Sequence, residues 1–426
     1  MNLIMDRFTK NKERLPMYIF TCMIIIIIAV VTEASIKYQA SLQKVVWVIL
    51  ALLGFAMFFY KVAIRKTDVE KEKAMFLIAN FEYLPFVVAF LYTACVGVIT
   101  HEKIGMTQQA FTTMSYLIVD MIAAYFITSM FKEKSINVMF YAIALSYGLT
   151  LIFAFNEIGL NRVFEYFFGQ YKGNAGYFEK NDIGVAVVPL ILMYIYMIIN
   201  QKKDKRNNII KLVFLVLILI MCGKRSAFTG TIVGVVIIAL FAIFKNKNKL
   251  LSIIVSLSFI LGAFLYVCFI KYGVLEAVCK SLSINSMGRL SVYTYFNDQY
   301  KISLLYMGKG FQYVHRYMEA GLGNDLVNTF SYLHNSILQI YIETGFCGFF
   351  LWFSHILIGG KMLVRKIVND EAAIFYLILA VSMVTIFATD NVLTYPVYQL
   401  TQNITILNFV YREKVKSEEC NNNIEL

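Results

Sequence analysis

The chain is a succession of apolar runs, each about as long as a bilayer is thick. Twelve can be marked, near 17–35, 45–63, 80–100, 110–131, 136–156, 182–200, 208–222, 226–244, 250–270, 335–358, 372–389 and 391–411. A helix needs about 20 mainly apolar residues to cross the hydrocarbon core. Backbone polar groups cannot cross it unpaired, so runs of this kind become helices. The expected fold class is therefore all-α: a polytopic membrane bundle of about twelve transmembrane helices, read as a single integral membrane domain over 1–426. Composition agrees, with 59% of the 426 residues hydrophobic and 15% charged, against roughly 25% charged in soluble domains. The third run carries Glu82 and Pro85, and the twelfth carries Pro396, Gln399, Gln402 and Asn403, which makes these two the weakest as spans. The run at 17–34 follows a basic stretch and precedes no small-residue cleavage site, so it reads as a first membrane helix rather than a removed leader.

Charge sets the expected orientation. Roughly 25 of the 39 Lys and Arg residues lie on alternate connecting segments, the set that includes the N-terminus. The positive-inside bias then puts both termini in the cytoplasm and turns residues 157–181, 223–226 and 271–334 outward. The net charge of +12 reads as this bias plus affinity for anionic lipid, with no nucleic-acid partner. Seven cysteines lie mostly in apolar runs without a CxxC pair, which suggests neither a disulfide framework nor a zinc site. No Ser-His-Asp signature is present. The polar tail from about 413 is expected to be disordered.

One connecting segment, 271–334, is long, and long loops are usually functional. It is rich in Tyr and Phe, whose rings can stack on sugars or lie at the lipid surface. Its stretch 289–306 alternates at helical spacing, which predicts helices lying along the membrane. The loop ends on Leu333-His334-Asn335-Ser336, at the start of the tenth run. Free N–H groups and the helix dipole make that start a good place for an anion such as phosphate. The simpler reading is an interfacial histidine beside an Asn/Ser cap.

Other groups lie on the same expected face. Gly223-Lys224-Arg225-Ser226 places two basic residues against the charge trend. They read either as a diphosphate clamp or as snorkelling side chains, with Ser226 a candidate N-cap. Gly288-Arg289-Leu290 is followed by Gly308-Lys309-Gly310-Phe311, a turn that lets backbone approach something closely. It lacks the spacing of a nucleotide phosphate loop. Glu179-Lys180-Asn181-Asp182 precedes the sixth run. Glu343, two turns into the tenth, either lines a substrate cavity or pairs structurally. Asp390 and Asn391, between the last two runs, read as a cap. If the sixth, eighth and tenth helices all start at the outer face, their N-termini and two arginines could meet at one anionic group.

The order GKRS, GRL, GKGF and then HNSILQIYIETGFCG, with the long loop before the tenth run, resembles the Wzy-type polysaccharide polymerase and O-antigen ligase superfamily. The resemblance covers about residues 175–360, and His-Asn followed by Glu-x-Gly-x-x-Gly is its most specific part. It implies a GT-C-like glycosyltransferase architecture, and glycan transfer from an undecaprenyl-diphosphate carrier outside the cytoplasmic membrane, with no metal or nucleotide-sugar cofactor. By the same resemblance, Arg225 and Arg289 hold the donor diphosphate, and His334 assists the acceptor hydroxyl or contacts the diphosphate. Glu179 and Asn181 match loosely. Lys224, Ser226, Asn335, Lys309 and Glu343 complete the expected substrate-binding set. Polymerases join lipid-linked repeat units and ligases pass finished chains to a lipid A core. Richness in Lys, Ile and Asn favours the polymerase, acting on capsule, exopolysaccharide or O-antigen, alongside a chain-length regulator and a flippase. A transporter or flippase would show internal repeats and charges near the midplane, and neither is evident.

Overall fold

A computed structural model describes residues 36–65, 69–100, 108–167, 181–200, 204–284, 288–320 and 333–422, together with Ile19, Thr21 and Ser286. The expected first helix at 17–34 lies almost wholly outside the described residues. The described chain is helical, without a strand. Its helices are α1 (Ile36–Phe59), α2 (Val69–Thr100), α3 (Gln108–Phe131), α4 (Ser135–Ile158), α5 (Leu160–Phe167), α6 (Asn181–Asn200), α7 (Lys205–Cys222) and α8 (Arg225–Ile243). There follow α9 (Asn248–Lys271), α10 (Val274–Ser281), α11 (Arg289–Tyr295), α12 (Tyr313–Ala320), α13 (Ser336–Ser354), α14 (Lys361–Ile367), α15 (Asp370–Phe387) and α16 (Pro396–Asn422). Among the described residues six segments are long and apolar enough to cross a bilayer: Leu117–Ile158, Asp182–Asn200, Arg225–Ile243, Lys245–Lys271, Ser336–Ile367 and Asp370–Phe387. The protein is an integral membrane protein.

The chain divides into two compact units. The first comprises 1–79, 119–231 and 396–426. Here α6 is buried along most of its length, and α16 packs on it. The polar residues that weaken α16 as a span are buried and satisfied. The Asn408 amide donates to the carbonyls of Lys132 and Glu133 at 3.0 and 3.1 Å and to Ser135 Oγ at 2.7 Å, gripping the turn between α3 and α4. Amides that bond across helices hold bundles together where no hydrophobic gradient does. The expected disordered tail is instead helical as far as Asn422. Its first turns are tied by Arg412 Nε donating to Asn408 Oδ1 at 2.8 Å and by a Lys416–Glu413 pair, contacts at the helix-neighbour spacing. One turn before the α3–α4 connection, at Ser129 of α3, buried Glu72 accepts from Lys61 and Tyr125 at 2.5 Å and from Ser129 at 2.8 Å, so no charge is left bare.

The second unit comprises 80–118 and 232–395. Helix α13 is its centre, packed on α9 and continued by a π-helical stretch, His355–Gly360, that leans on α15. Of the helices expected along the membrane over 289–306, one short helix forms. The stretch makes α11, a short 3-10 turn at Asn297–Gln299, and an irregular return. The physical reason is that Val292, Tyr293, Phe296 and Tyr300 are all buried in the unit, so the apolar face meets protein rather than a surface. Lys271 seals this arrangement by donating to the carbonyls of Asn297 and Tyr300.

Candidate functional site

The site begins with a break in α13. Gly345 has φ 71° and ψ −170°, a conformation open in practice only to glycine. The break frees helix carbonyls and an N–H group that must find partners elsewhere. The Gly308-Lys309-Gly310 turn supplies them. Lys309 N–H donates to Ile342 O and Gly310 N–H to Glu343 O, both at 2.9 Å, while Phe346 N–H donates to Tyr306 O at 2.8 Å. Tyr306 Oη adds a bond to Ile342 O at 2.8 Å. The close approach expected of this turn is therefore to the backbone of α13. A Cβ at Gly308 would stand 2.5 Å from Glu343 O and Gly345 N, and one at Gly345 would stand 2.5 Å from Gly308 N and nearer still to Tyr306 O.

Glu343 serves the same join. Its carboxylate accepts from Gln339 Nε2 at 3.1 Å and from Val314 N–H at 3.3 Å, and it is buried. The carboxylate thus ties α12 to α13, through an amide and a backbone N–H rather than through the Arg or Lys expected of a structural pair. The Lys309 side chain is exposed, with its ammonium 5.8 Å from the Tyr313 ring centre.

Nearer the start of α13 a second cluster forms. His334 has φ 50°, an unusual left-handed conformation for a side-chain-bearing residue. Asn335 is extended and caps the helix, its Oδ1 accepting from Leu338 N–H at 3.0 Å, as the Asx motif predicts. Ser336 donates through both N–H and Oγ to Asp390 O at 3.0 Å. The neighbouring carbonyls are also claimed: Arg289 Nη1 donates to Thr389 O at 2.7 Å, and Tyr266 Oη to Ala388 O at 2.6 Å. One turn, 388–390, thus fixes Arg289 and the start of α13 together.

Asp390 was expected only as a cap. It is the buried carboxylate opposite the histidine: 0% exposed, with Oδ1 at 3.7 Å from His334 Nδ1. The same oxygen accepts from Asn391 N–H at 3.0 Å and Tyr395 Oη at 3.1 Å, which holds the carboxylate in place. The His334 side chain remains 28% exposed, so the imidazole lies between a fixed negative charge and open space. Tyr293 Oη donates to His334 O at 3.3 Å. Burial pushes the Tyr293 phenol up to about 12, with Arg289 pulling the other way, so it stays a donor at neutral pH.

A cavity of about 570 Å³ opens in the same unit between α2 and α13. Leu84, Pro85, Val88, Ala89, Leu351 and Trp352 make it apolar, and Tyr306 and Thr344 stand at the end where the glycine turn meets α13.

The remaining candidates lie in the first unit. Helix α8 starts at Arg225, with Lys224 O accepting from the N–H groups of Ala227 and Phe228. Ser226 is thus inside the first turn and not the N-cap. Lys224 and Ser226 are buried and Arg225 is exposed. Gly184 of α6 packs against this turn, since a Cβ there would meet those of Cys222 and Lys224 at 3.1 Å. Asn181 opens α6, while Glu179 lies outside the described residues. Within a single unit, then, the structure brings together Arg289, His334 and Asn335 in one cluster, and Lys309 and Glu343 in another.

Residues 210–353 match the protein-family model described as O-Antigen ligase, Wzy_C. The match contains Lys224, Arg225, Ser226, Arg289, Lys309, His334, Asn335 and Glu343, and leaves out Glu179, Asn181 and Asp390. Neither the curated proteins nor the solved structures yield a match. The matched stretch ends on α13, the helix on which both clusters are built. Over residues 210–353, about a third of its length, the chain is similar to the Wzy/O-antigen ligase superfamily.

Proposed function

We propose that this protein is a polymerase that joins undecaprenyl-diphosphate-linked oligosaccharide repeat units into a surface polysaccharide, acting on the outer side of the cytoplasmic membrane with both termini in the cytoplasm. The observation that carries the reading is the His334–Asp390–Arg289 cluster at the start of a membrane helix, in which Arg289 and His334 lie within the family-matched stretch. In the reaction an acceptor hydroxyl attacks the anomeric carbon of the donor sugar. The bond to the diphosphate oxygen breaks, the hydroxyl proton passes to His334, and undecaprenyl diphosphate leaves. Arg289 spends one nitrogen on Thr389 O and keeps the rest of its fork for the leaving phosphates. Asp390 faces the imidazolium that forms, a fixed charge that needs no reorganisation during the step. Arg225 enters through the resemblance alone, as a diphosphate-binding residue.

The apolar cavity supports a lipid-linked donor, because it can take part of an isoprenoid chain. Cys347 lines it and is exposed. A lipid-soluble thiol reagent is expected to label Cys347 in the purified protein, with the site located by mass spectrometry. Undecaprenyl phosphate should protect it at least fivefold better than the same amount of phosphatidylglycerol. Equal protection by the two lipids would remove this support.

The direct test of function is reconstitution with a lipid-diphosphate oligosaccharide. A ladder of products spaced by one repeat unit is the expected result. The family description favours one second reading, an O-antigen ligase. A single transfer to a lipid A core acceptor, with no ladder, would establish that instead. Intact wild-type transport of single repeat units to the surface in a deletion strain is expected, and its loss would point to a flippase.

A further inference from the structure

We propose that Tyr295, Tyr313 and Tyr317 form a carbohydrate-binding platform that holds sugar rings of the lipid-linked oligosaccharide beside Arg289. The proposal deepens the glycan-transfer reading and rests on it. The Tyr313 and Tyr317 rings stack with centres 5.7 Å apart and planes 23° apart, and Tyr295 leans on Tyr317 at 5.3 Å. Fully buried Phe296 backs the group at 5.2 Å from Tyr317. All three tyrosines keep part of their surface open, which rings serving only as core would not.

The polar edge of the group is organised. Tyr313 Oη donates to Gln299 Oε1 at 2.7 Å, and Gln299 Nε2 donates to Tyr317 Oη at 2.9 Å. The ring orientations are thereby fixed before any ligand arrives, so less ordering entropy is lost on binding. The C–H face of a pyranose carries slight positive charge and the face of an aromatic ring is negative, which favours stacking of one on the other. The Lys309 ammonium, near the Tyr313 ring, adds donors for sugar hydroxyls. Position supplies the link to the reaction. Arg289 opens α11 and Tyr295 closes it. At 1.5 Å per residue the two are about 9 Å apart along the helix. A donor whose diphosphate meets Arg289, and whose glycan runs along α11, reaches the tyrosines.

The probe is the oligosaccharide released by mild acid from the lipid-linked pool that accumulates in cells lacking the protein. Its binding to the full-length protein in nanodiscs is read by saturation-transfer NMR, and transfer kinetics are read with the intact lipid-linked donor. Y313L and Y317L are each expected to raise KM for the donor about tenfold, with kcat within twofold of wild type, and the double variant to lose binding of the released oligosaccharide. Y317F keeps the ring but loses the bond from Gln299, so it should bind more weakly than wild type and clearly better than Y317L. Y295L disturbs neither Gln299 bond and should reproduce the KM shift even if the other leucine variants fold poorly. Wild-type binding by Y295L and by the Y313L/Y317L pair would overturn the platform, as would equal losses in Y317F and Y317L. If the wild-type protein forms no ladder, yet its binding of the released oligosaccharide disappears in the leucine variants, the platform stands and the polymerase reading falls.

Discussion

Gly345→Ala should leave the protein in the membrane with transfer activity reduced more than a hundredfold, and Gly308→Ala should do the same. The two glycines face each other across the join between the 306–310 turn and the break in α13, and each added Cβ runs into backbone rather than a movable side chain. Both have positive φ, 71° and 86°. A side chain at Gly345 therefore meets conformational strain of roughly 1–3 kcal/mol before any clash is counted. Relieving the clash means separating the turn from the helix, which breaks three backbone hydrogen bonds. Buried groups left unpaired cost about 1–3 kcal/mol each. The total approaches the whole stability of a typical domain. Gly273→Ala is the control: it too has positive φ, 73°, but an added Cβ would meet nothing within 4 Å. It should cost only about 1–2 kcal/mol and retain activity. Limited proteolysis reads the difference, with new cleavage in 300–320 for the first two variants and none for the third. A wild-type cleavage pattern in Gly345→Ala would mean that the join is not what holds the loop.

Much of this was legible in the sequence, and the parts that were not share a cause. Period and length mark helices, so the runs at 136–156, 182–200, 226–244 and 250–270 reappear as α4, α6, α8 and α9 within a few residues. Two glycines flanking a single residue mark a close approach, so Gly308 and Gly310 announced one. What they approach depends on a helix break at Gly345, and a lone glycine in an apolar run does not declare whether it bends the chain. The role of Asp390 was hidden for a similar reason. An acid between two apolar runs looks like a cap, and only the packing of α13 against the 388–390 turn brings it to His334. The tail from 413 has polar composition, but composition could not show that Arg412, Glu413 and Lys416 would find partners one turn away. The tyrosines of 289–306 misled differently: apolar spacing told that one face would be buried, and not that protein rather than lipid would bury it.

Asp390→Asn should separate the charge of this residue from its structural work, and it is the sharper test of the proposed mechanism. An amide oxygen can still accept from Asn391 N–H and Tyr395 Oη, the two donors now on Oδ1, and Asp390 O still anchors Ser336. The fold should therefore survive, with an unchanged unfolding midpoint. The negative charge 3.7 Å from His334 is removed. If His334 takes the acceptor proton, kcat should fall by about 10²-fold, against the 10²–10⁴ expected when the base itself is lost in His334→Ala. Arg289→Ala should cost as much as His334→Ala, because it withdraws a charge from the leaving diphosphate in a water-poor site. Arg289→Lys should recover only part of the loss, since an ammonium cannot both bond Thr389 O and present a planar fork. The kinetic pattern discriminates between the roles of His334. A base assisted by Asp390 predicts that the double variant His334→Ala/Asp390→Asn is no slower than His334→Ala alone, since Asp390 acts through the ring. Additive losses in that cycle would mean that Asp390 touches the substrate or the fold independently, and would remove histidine–carboxylate assistance from the mechanism while leaving the arginine clamp in place.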